Sequence, residues 1–162
     1  MTIHLIATGG TIDKYYNPTQ GQLTFEDSHL PEMLKQGRCE VALQLEVLMQ
    51  RDSLDITDTE RQQIVDVCIK STRKQIVLTH GTDTMVLTAQ ALQTQHLDKT
   101  IVLVGAMIPF TIRESDGLFN LGFALGAVQC LPAGVYIAMN GKIFTADNVT
   151  KNKVLGRFET LH

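Results

Sequence analysis

The sequence predicts an α/β fold in which helices cover both faces of a mostly parallel sheet. Short, continuous apolar runs alternate with longer amphipathic segments, which is the pattern of buried parallel strands and their connecting helices. Gly-containing loops follow several of these runs, and Asn140-Gly141 predicts the turn of a terminal hairpin. The 162 residues fit one domain, so we expect a single domain over residues 1–162.

The first half of the chain contains two predicted strands and a helix. Ile3 to Ala7 is predicted to be a buried strand that ends at a Gly-Gly loop, and Leu43 to Met49 is the second strand. A helix capped by Asp58 or Thr59 is expected to continue through Ser71. The apolar stripe that predicts this helix consists of Ile64, Val65, Cys68 and Ile69.

The second half is predicted to contain strand, helix, strand, helix and hairpin, in that order. Their ranges are Gln75 to Thr79, Thr82 to Gln95, Thr100 to Val104, Ser115 to Cys130, and the hairpin strands Gly134 to Met139 and Lys142 to Thr145. Thr82 is the expected cap of its helix. Asp83 is expected in the first turn, where a negative charge interacts favourably with the helix dipole.

Four loops are expected to meet at one end of the sheet. They follow the strands that end near Ala7, Met49, Thr79 and Val104. In a parallel sheet the carboxyl ends of neighbouring strands share one edge, and ligands bind beyond that edge. The sequence therefore predicts a functional site formed by these loops.

Charge and composition argue against several classes of function. The formal net charge is −3, and Lys and Arg are scattered without a basic run, so we expect no binding to nucleic acid or to an anionic membrane. No apolar run approaches the ~20 residues that a membrane helix needs. The first residues lack the basic and long apolar regions of a signal peptide, so we expect a cytoplasmic location.

No metal or cofactor site is predicted. Cys39, Cys68 and Cys130 form an odd, widely spaced set, which argues against a disulfide framework. The five histidines show no metal-ligand spacing. The chain contains neither a Gly-x-Gly-x-x-Gly motif nor a Walker sequence, so nothing indicates a bound nucleotide.

Two of the loops carry threonines in an arrangement that suggests catalysis. Thr8-Gly9-Gly10-Thr11-Ile12 has two glycines that allow a sharp turn and bring backbone N–H groups close to a ligand. Thr79-His80-Gly81-Thr82-Asp83-Thr84-Met85 places three hydroxyls and a carboxylate at a strand-to-helix junction. Helix capping explains one hydroxyl and the acid, but less easily the whole cluster. We interpret His80 as a hydrogen-bonded structural residue rather than a base.

Together, these two threonine loops closely resemble the two signatures of the bacterial-type L-asparaginase family. Three further stretches agree with that family in order along the chain. They are Arg51-Asp52-Ser53-Leu54-Asp55-Ile56, then Val104-Gly105-Ala106-Met107-Ile108-Pro109 with Ser115-Asp116-Gly117 and Phe119-Asn120-Leu121, and finally Asp147-Asn148-Val149-Thr150-Lys151. The resemblance covers essentially the whole chain, and it implies a Rossmann-like or flavodoxin-like sheet and an amidohydrolase.

The resemblance implies a role for each matching residue. Thr11 would be the attacking nucleophile. A second, coupled set for proton transfer would consist of Thr82, Asp83 and Lys151. Ser53 and Asp83 would hold the α-carboxylate and the α-amine of an amino-acid substrate. The substrate class that follows is a small amino-acid amide.

Two further roles involve the backbone. The Ala106 carbonyl would accept a hydrogen bond from the leaving amide, and Gly10 is expected to line the substrate site. Backbone N–H groups near Thr11 and Thr82 would stabilise the oxyanion, which typically contributes ~3 kcal/mol per donor.

The chain departs from the family pattern at two positions near the site. The family places a tyrosine on a mobile lid, where it activates the nucleophile, but the alignment puts Gln22 there. Tyr15 and Tyr16 lie earlier in the same segment, and we retain both as candidate catalytic residues, with packing on the lid as the alternative. Leu54 stands where the family usually has a polar or small residue that touches the substrate, so a shift in substrate preference is expected.

The family also has a second, carboxy-terminal domain that completes the site across a subunit interface. We expect this second family domain to be absent, because the chain stops at His162. A homo-oligomer, a dimer or larger, is then expected to cover apolar surface. Phe110, Phe119 and Phe123 are candidates for that contact, although we favour core packing for them.

Three hypotheses about function remain open at this point. The first is hydrolysis of the side-chain amide of L-asparagine to L-aspartate and ammonia through a threonyl ester. The second is a related amidase with another small substrate such as glutamine, and the third is a catalytically weak domain that binds an amino acid or a partner protein. An amino-terminal nucleophile at Thr2 lacks a second signature, and no Gly-x-Ser-x-Gly elbow indicates a serine hydrolase.

Overall fold

The computed structural model describes residues 1–162, which form ten strands and four helices. The strands are β1 (Ile3–Gly9), β2 (Tyr15–Asn17), β3 (Gln22–Thr24), β4 (Leu43–Arg51), β5 (Gln75–Thr79), β6 (Thr100–Val104), β7 (Gly134–Met139), β8 (Lys142–Thr145), β9 (Thr150–Asn152) and β10 (Arg157–Glu159). The helices are α1 (Leu30–Gln36), α2 (Asp58–Lys70), α3 (Met85–Gln93) and α4 (Gly117–Cys130).

The central sheet confirms the predicted α/β fold class. Six strands pair in the order β4-β1-β5-β6-β7-β8, flanked by the helices. All neighbouring pairs are parallel except β7 and β8, which form the predicted antiparallel hairpin. Two separate hairpins, β2 with β3 and β9 with β10, lie outside this sheet.

The inner strands are buried because most of their side chains are apolar on both faces. Every residue of β1 and β6 is buried, as is β5 after its first residue. These strands belong to one hydrophobic core of 34 buried residues, to which the helices add side chains such as Ile64, Met85 and Leu121. Each fully buried apolar side chain of this kind contributes ~1.5–3 kcal/mol to the stability of the fold. No helix is long and apolar enough to span a bilayer.

The start of α2 differs from the prediction by one or two residues. Thr57 is the N-cap, because its Oγ1 accepts a hydrogen bond from the Glu60 N–H at 3.2 Å. The Glu60 carboxylate in turn accepts from the Thr57 N–H at 2.9 Å, which completes a capping box. Asp58 and Thr59 therefore lie inside the first turn. Ile69, the last member of the predicted apolar stripe, is exposed.

The predicted start of the third helix at Thr82 is also wrong. α3 begins at Met85, and its N-cap residue Thr84 makes no side-chain capping hydrogen bond. Thr82 and Asp83 lie in the turn before the helix, so neither acts as the expected cap or first-turn acid. Their side chains bond to another part of the chain instead, as described below.

The phenylalanines only partly follow the expected core packing. Phe110 and Phe123 are half-buried against the core, but the Phe119 side chain is 62% exposed. The rings of Phe119 and Phe123 stack with their centroids 6.5 Å apart. Core packing was therefore the wrong expectation for Phe119.

Candidate active site

The two threonine loops contact each other through their backbones. Gly10 follows β1 and has a positive φ of 78°. A Cβ atom at this position would lie 2.4 Å from the Gly81 nitrogen, so only glycine allows the loops to come this close. The sequence-based expectation that these loops meet at one end of the sheet is therefore correct.

The serine loop lies against the second threonine loop. A Cβ atom at Gly81 would lie 2.6 Å from the Ser53 side chain, and the Thr84 hydroxyl donates to the Ser53 carbonyl at 2.8 Å. Ser53 is buried at the start of a short 3₁₀ turn, Ser53–Asp55. The Gly10 N–H also donates to the Arg51 carbonyl at 2.8 Å, which ties the first loop to the same segment.

Lys151 joins the second threonine loop from a distant part of the sequence. Its Nζ donates to the Thr82 Oγ1 and to the Asp83 Oδ1, each at 2.7 Å. The Lys151 side chain is only 13% exposed, and it reaches the loop from β9, which pairs with β10. Thr82 accepts from Lys151, and its own hydroxyl proton is donated only weakly, to the Met107 Sδ at 3.9 Å.

Thr11 begins a 3₁₀ turn that presents its hydroxyl without a partner in the chain. The turn spans Thr11–Asp13, and the Lys14 N–H closes it by donating to the Thr11 carbonyl at 3.2 Å. The Asp13 carboxylate is buried and accepts the His29 N–H at 2.7 Å, which fixes the base of the turn. Thr11 itself is half-buried.

The loop after β6 forms another wall of the site. The Asp116 carboxylate accepts from the Met107 and Ile108 N–H groups at 3.0 Å, and the Asn120 side chain donates to the Gly105 carbonyl at 2.9 Å. Ala106, which lies between these anchored residues, is buried. A Cβ at Gly105 would lie 2.5 Å from the His80 carbonyl, so this glycine allows the loop to sit against the second threonine loop.

His80 is a structural residue, as the sequence analysis proposed. It is completely buried, its Nδ1 donates to the Gly81 carbonyl at 2.8 Å, and the Thr88 hydroxyl donates to its Nε2 at 2.8 Å. Burial lowers the pKa of His80 to about 4. The ring is therefore neutral at pH 7, and both nitrogens are already occupied.

Comparison with known proteins shows the family of the chain. The family model described as "Asparaginase, N-terminal" matches residues 2–158. The chain belongs to the asparaginase family. A glutaminase-asparaginase from Acinetobacter glutaminasificans is 36% identical over 160 residues, which cover 91% of this chain and 48% of the relative.

Solved asparaginase structures share the fold. The thermostable L-asparaginase from Thermococcus kodakarensis superposes with a TM-score of 0.87 at 26% identity, covering 99% of this chain and 51% of that one. A probable cytoplasmic L-asparaginase from Campylobacter jejuni gives a TM-score of 0.79 at 30% identity, covering 98% of this chain and 51% of that one. The chain thus spans about half the length of the asparaginases that it matches.

The structure brings most of the family-implied residues together. The loops of Gly10, Thr11, Ser53 and Thr82 are joined by the backbone contacts described above, and Lys151 bonds to Thr82. Asp83 is held by Lys151, and Ala106 lies on the loop that contacts the turn before α3. No cluster of three or more His, Cys, Asp or Glu side chains is arranged to hold a metal ion.

The two candidate tyrosines lie on the small hairpin of β2 and β3. Tyr15 is half-buried and pairs with Thr24, whereas the Tyr16 side chain is 55% exposed. Neither hydroxyl forms a hydrogen bond within the chain, and Gln22 is exposed on the facing strand. A catalytic role for either tyrosine stays a prediction.

One pair of residues beside the site was missed by the sequence analysis. Lys14 follows the turn of Thr11, Asp52 precedes Ser53, and their side chains form an ion pair. The Lys14 ammonium group holds the pKa of Asp52 below its usual range. Their adjacency to the two matched loops was the available signal, but nothing in the sequence indicates that the two side chains meet.

Proposed function

We propose that this chain carries a site for amide hydrolysis, which converts L-asparagine to L-aspartate and ammonia with Thr11 as nucleophile. The observation that carries the proposal is the bonded set of Thr82, Lys151 and Asp83, which lies on a loop in backbone contact with the loop of Thr11. Nucleophilic catalysis by threonine requires a hydroxyl and a proton path, and these two loops supply a hydroxyl without a partner in the chain and a lysine bonded to a second hydroxyl.

The reaction proceeds in two halves. The Thr11 oxygen attacks the amide carbon, its proton passes to a neighbouring base, and backbone N–H groups of the two loops stabilise the oxyanion. Tyr15 and Tyr16, on the adjoining hairpin, are the candidate bases in this proposal. The C–N bond then breaks, and the nitrogen leaves as ammonia after receiving a proton through Thr82 and Lys151. Water, deprotonated by the same path, attacks the ester carbonyl carbon; the bond to the Thr11 oxygen breaks, and this oxygen takes back its proton from the base, which restores both groups.

The polar groups around the threonines suit a small amino-acid amide. The Ser53 hydroxyl would bind the α-carboxylate, and the Asp83 carboxylate would bind the α-amine. The Ala106 carbonyl would accept from the leaving amide. These assignments rest on the family resemblance, and the contacts between the loops of Ser53, Gly81 and Gly105 support them.

A related amide such as glutamine is the second candidate substrate. The Leu54 side chain is 67% exposed beside Ser53, and it offers no hydrogen bond to a substrate. A relative at 36% identity carries the name glutaminase-asparaginase. Both observations favour tolerance of a longer amide over strict selection of asparagine.

We also propose that the chain works as a homo-oligomer. The exposed ring of Phe119, stacked on Phe123, is the apolar surface that supports this proposal. We also propose a cytoplasmic location, which the likeness to a structure described as a probable cytoplasmic L-asparaginase supports.

Ammonia release from asparagine, glutamine and simple amides tests the proposed function. We expect release from asparagine by the unmodified chain, and a loss of about a thousand-fold or more in kcat for Thr11→Val and for Thr82→Val. Thr59→Val is the matched control, because Thr59 is exposed at the start of α2 and should leave release unchanged. Binding of aspartate without turnover of any amide would instead support the binding-domain hypothesis.

A further inference from the structure

Lys14 and Asp52 connect the two short turns that carry the proposed nucleophile and the proposed carboxylate-binding serine. Lys14 immediately follows the 3₁₀ turn Thr11–Asp13, and Asp52 immediately precedes the 3₁₀ turn Ser53–Asp55. The Lys14 ammonium group bonds to the Asp52 Oδ2. The ion pair therefore links the end of one turn to the beginning of the other.

Asp52 performs a second task at the same time. Its Oδ1 accepts the Leu54 N–H at 3.2 Å, which caps the turn that begins at Ser53. The neighbouring Arg51 carbonyl accepts the Gly10 N–H at 2.8 Å. The two turns are thus joined twice, by a backbone hydrogen bond before Thr11 and by the ion pair after it. Two attachments fix the relative orientation of the turns, whereas one would leave a hinge.

Lys14 is held in place by contacts of its own. Its side chain is 16% exposed, and the Nζ lies 5.6 Å from the centroid of the Phe25 ring. The Thr111 hydroxyl donates to the Lys14 carbonyl at 3.1 Å. These contacts place the ammonium group in front of Asp52 and reduce the freedom that a surface lysine would have.

The electrostatics of the pair keep it intact at neutral pH. The hydrogen bond from Lys14 is the largest cause that lowers the pKa of Asp52, and the charge of Lys151 lowers it further. Asp52 therefore stays ionised. Partial burial of two opposite charges contributes little net stability, because desolvation offsets most of the attraction. The effect of the pair is accordingly geometric.

We propose that Lys14 and Asp52 are positioning residues that hold the Thr11 hydroxyl at attacking distance from a substrate anchored by Ser53. The inference rests on the proposed function, since it assigns the pair to that reaction. The pair acts on the angle between the two turns and does not touch the reacting atoms.

Kinetics of single and double variants test the pair. Lys14→Met and Asp52→Asn should each lower kcat for ammonia release by about 10- to 100-fold, the effect of a nucleophile displaced by up to ~1 Å. KM should change less than about threefold, because Ser53 remains anchored through Thr84. Lys14→Arg should restore most of the activity. The double variant should be no worse than either single one, because both changes remove the same contact.

The Lys74–Asp98 ion pair provides the matched control. It has the same chemistry, but both side chains are largely exposed and precede β5 and β6, at the opposite end of the strands from the site. Lys74→Met and Asp98→Asn should leave both kcat and KM unchanged. The positioning role would be overturned if the fold-losses in kcat of Lys14→Met and Asp52→Asn multiplied in the double variant, or if the variants changed only KM.

A second readout separates this inference from the proposed function. If the unmodified chain releases no ammonia from any amide, the proposed function fails. Amide hydrogen exchange then tests whether the ion pair couples the two turns. Faster exchange of the Lys14 and Leu54 amides in Lys14→Met, with an unchanged free energy of unfolding, supports the coupling of the two turns. Unchanged exchange at both amides overturns it.

Discussion

At the scale of single residues, the site depends on glycines whose side-chain space is filled by a neighbouring loop. Gly10 is the clearest case, because its missing Cβ lets the two threonine loops touch. The two threonine loops are then brought together by backbone contact, and the Lys151 side chain adds its amine from β9. Small residues at these positions are therefore as necessary to the site as the threonines.

Gly10→Ala should damage both stability and catalysis. The added Cβ would meet the Gly81 nitrogen at 2.4 Å while φ remains at 78°, so one loop must move. We expect the free energy of unfolding, measured in urea, to fall by about 2 kcal/mol or more, and ammonia release to fall with it. Gly21→Ala is the control, because φ is also positive there but nothing lies within 4 Å of the added Cβ. Equal losses in both variants would show that loop contact is unimportant.

His80 should make the protein less stable as the pH falls below neutrality. Its pKa is about 4 in the folded chain, against an ordinary value near 6.5. Between these values the unfolded chain binds one more proton, so the stabilisation is complete above about pH 6.5 and is lost as the pH falls towards 4. The free energy of unfolding should decrease by up to about 1.4 kcal/mol per pH unit in this range.

Urea unfolding at several pH values measures this dependence. Between pH 6.5 and 4, the free energy of unfolding should change less steeply with pH in His80→Gln. The difference in slope should correspond to about one bound proton. The control His96→Gln changes an exposed histidine and should keep the slope of the unmodified chain. Parallel slopes for all three proteins would contradict a buried, neutral His80.

At the scale of elements, the sequence predicted the parts of the chain that are buried. The strands β1, β5 and β6 are mostly apolar, and near-continuous apolar runs are the signal of strands covered on both faces. The convergence of the loops follows from that arrangement alone. The short hairpins β2–β3 and β9–β10, and the seven-residue helix α1, have few buried side chains and so leave little periodic signal.

The same reasoning explains which site contacts escaped prediction. The family resemblance supplied Lys151 and Thr82, and their hydrogen bond agrees with the coupled set that it implied. The pairing of Lys14 with Asp52 depends on how two loops are oriented in space, which neither periodicity nor composition encodes. The corrected start of α3 has the same origin, because the turn of Thr82 and Asp83 is set by contacts with other loops rather than by local propensity.

The β9–β10 hairpin should control the position of Lys151. Phe158 on β10 is buried, pairs with Lys151 in register, and lies 6.4 Å from the Phe144 ring, centroid to centroid. Phe158→Ala should lower the free energy of unfolding by about 3–5 kcal/mol and reduce kcat, because the hairpin loses its anchor in the core. Phe158→Leu should keep most of the free energy of unfolding and most of kcat. Full kcat in a folded Phe158→Ala protein would contradict this link.

At the scale of the whole molecule, one core supports a site that lies at the edge of the sheet. The five larger surface cavities are not lined by Thr11, Ser53 or Thr82; Ser53 and Thr82 are buried, and Thr11 is half-buried. The exposed Phe119 ring adds an apolar surface to the same molecule. Exposure of this ring is the feature that assembly of several copies would change.

Light scattering at micromolar concentration tests that assembly. We expect a mass corresponding to two or more chains, and a smaller mass for Phe119→Glu, because a charge in an apolar contact is costly to desolvate. Glu114→Lys, an exposed change of charge outside the stacked rings, serves as the control. A mass equal to one chain for the unmodified protein would contradict the predicted homo-oligomer.

The most direct test of the site formed by the two threonine loops is to capture the covalent intermediate. The protein is mixed with L-asparagine, quenched in acid within the first turnovers, digested and analysed by mass spectrometry. The proposed mechanism predicts an aspartyl group esterified to the peptide that contains Thr11, and no such group in Thr11→Val. An ester on the peptide of Thr82, with ammonia still released by Thr11→Val, would contradict it.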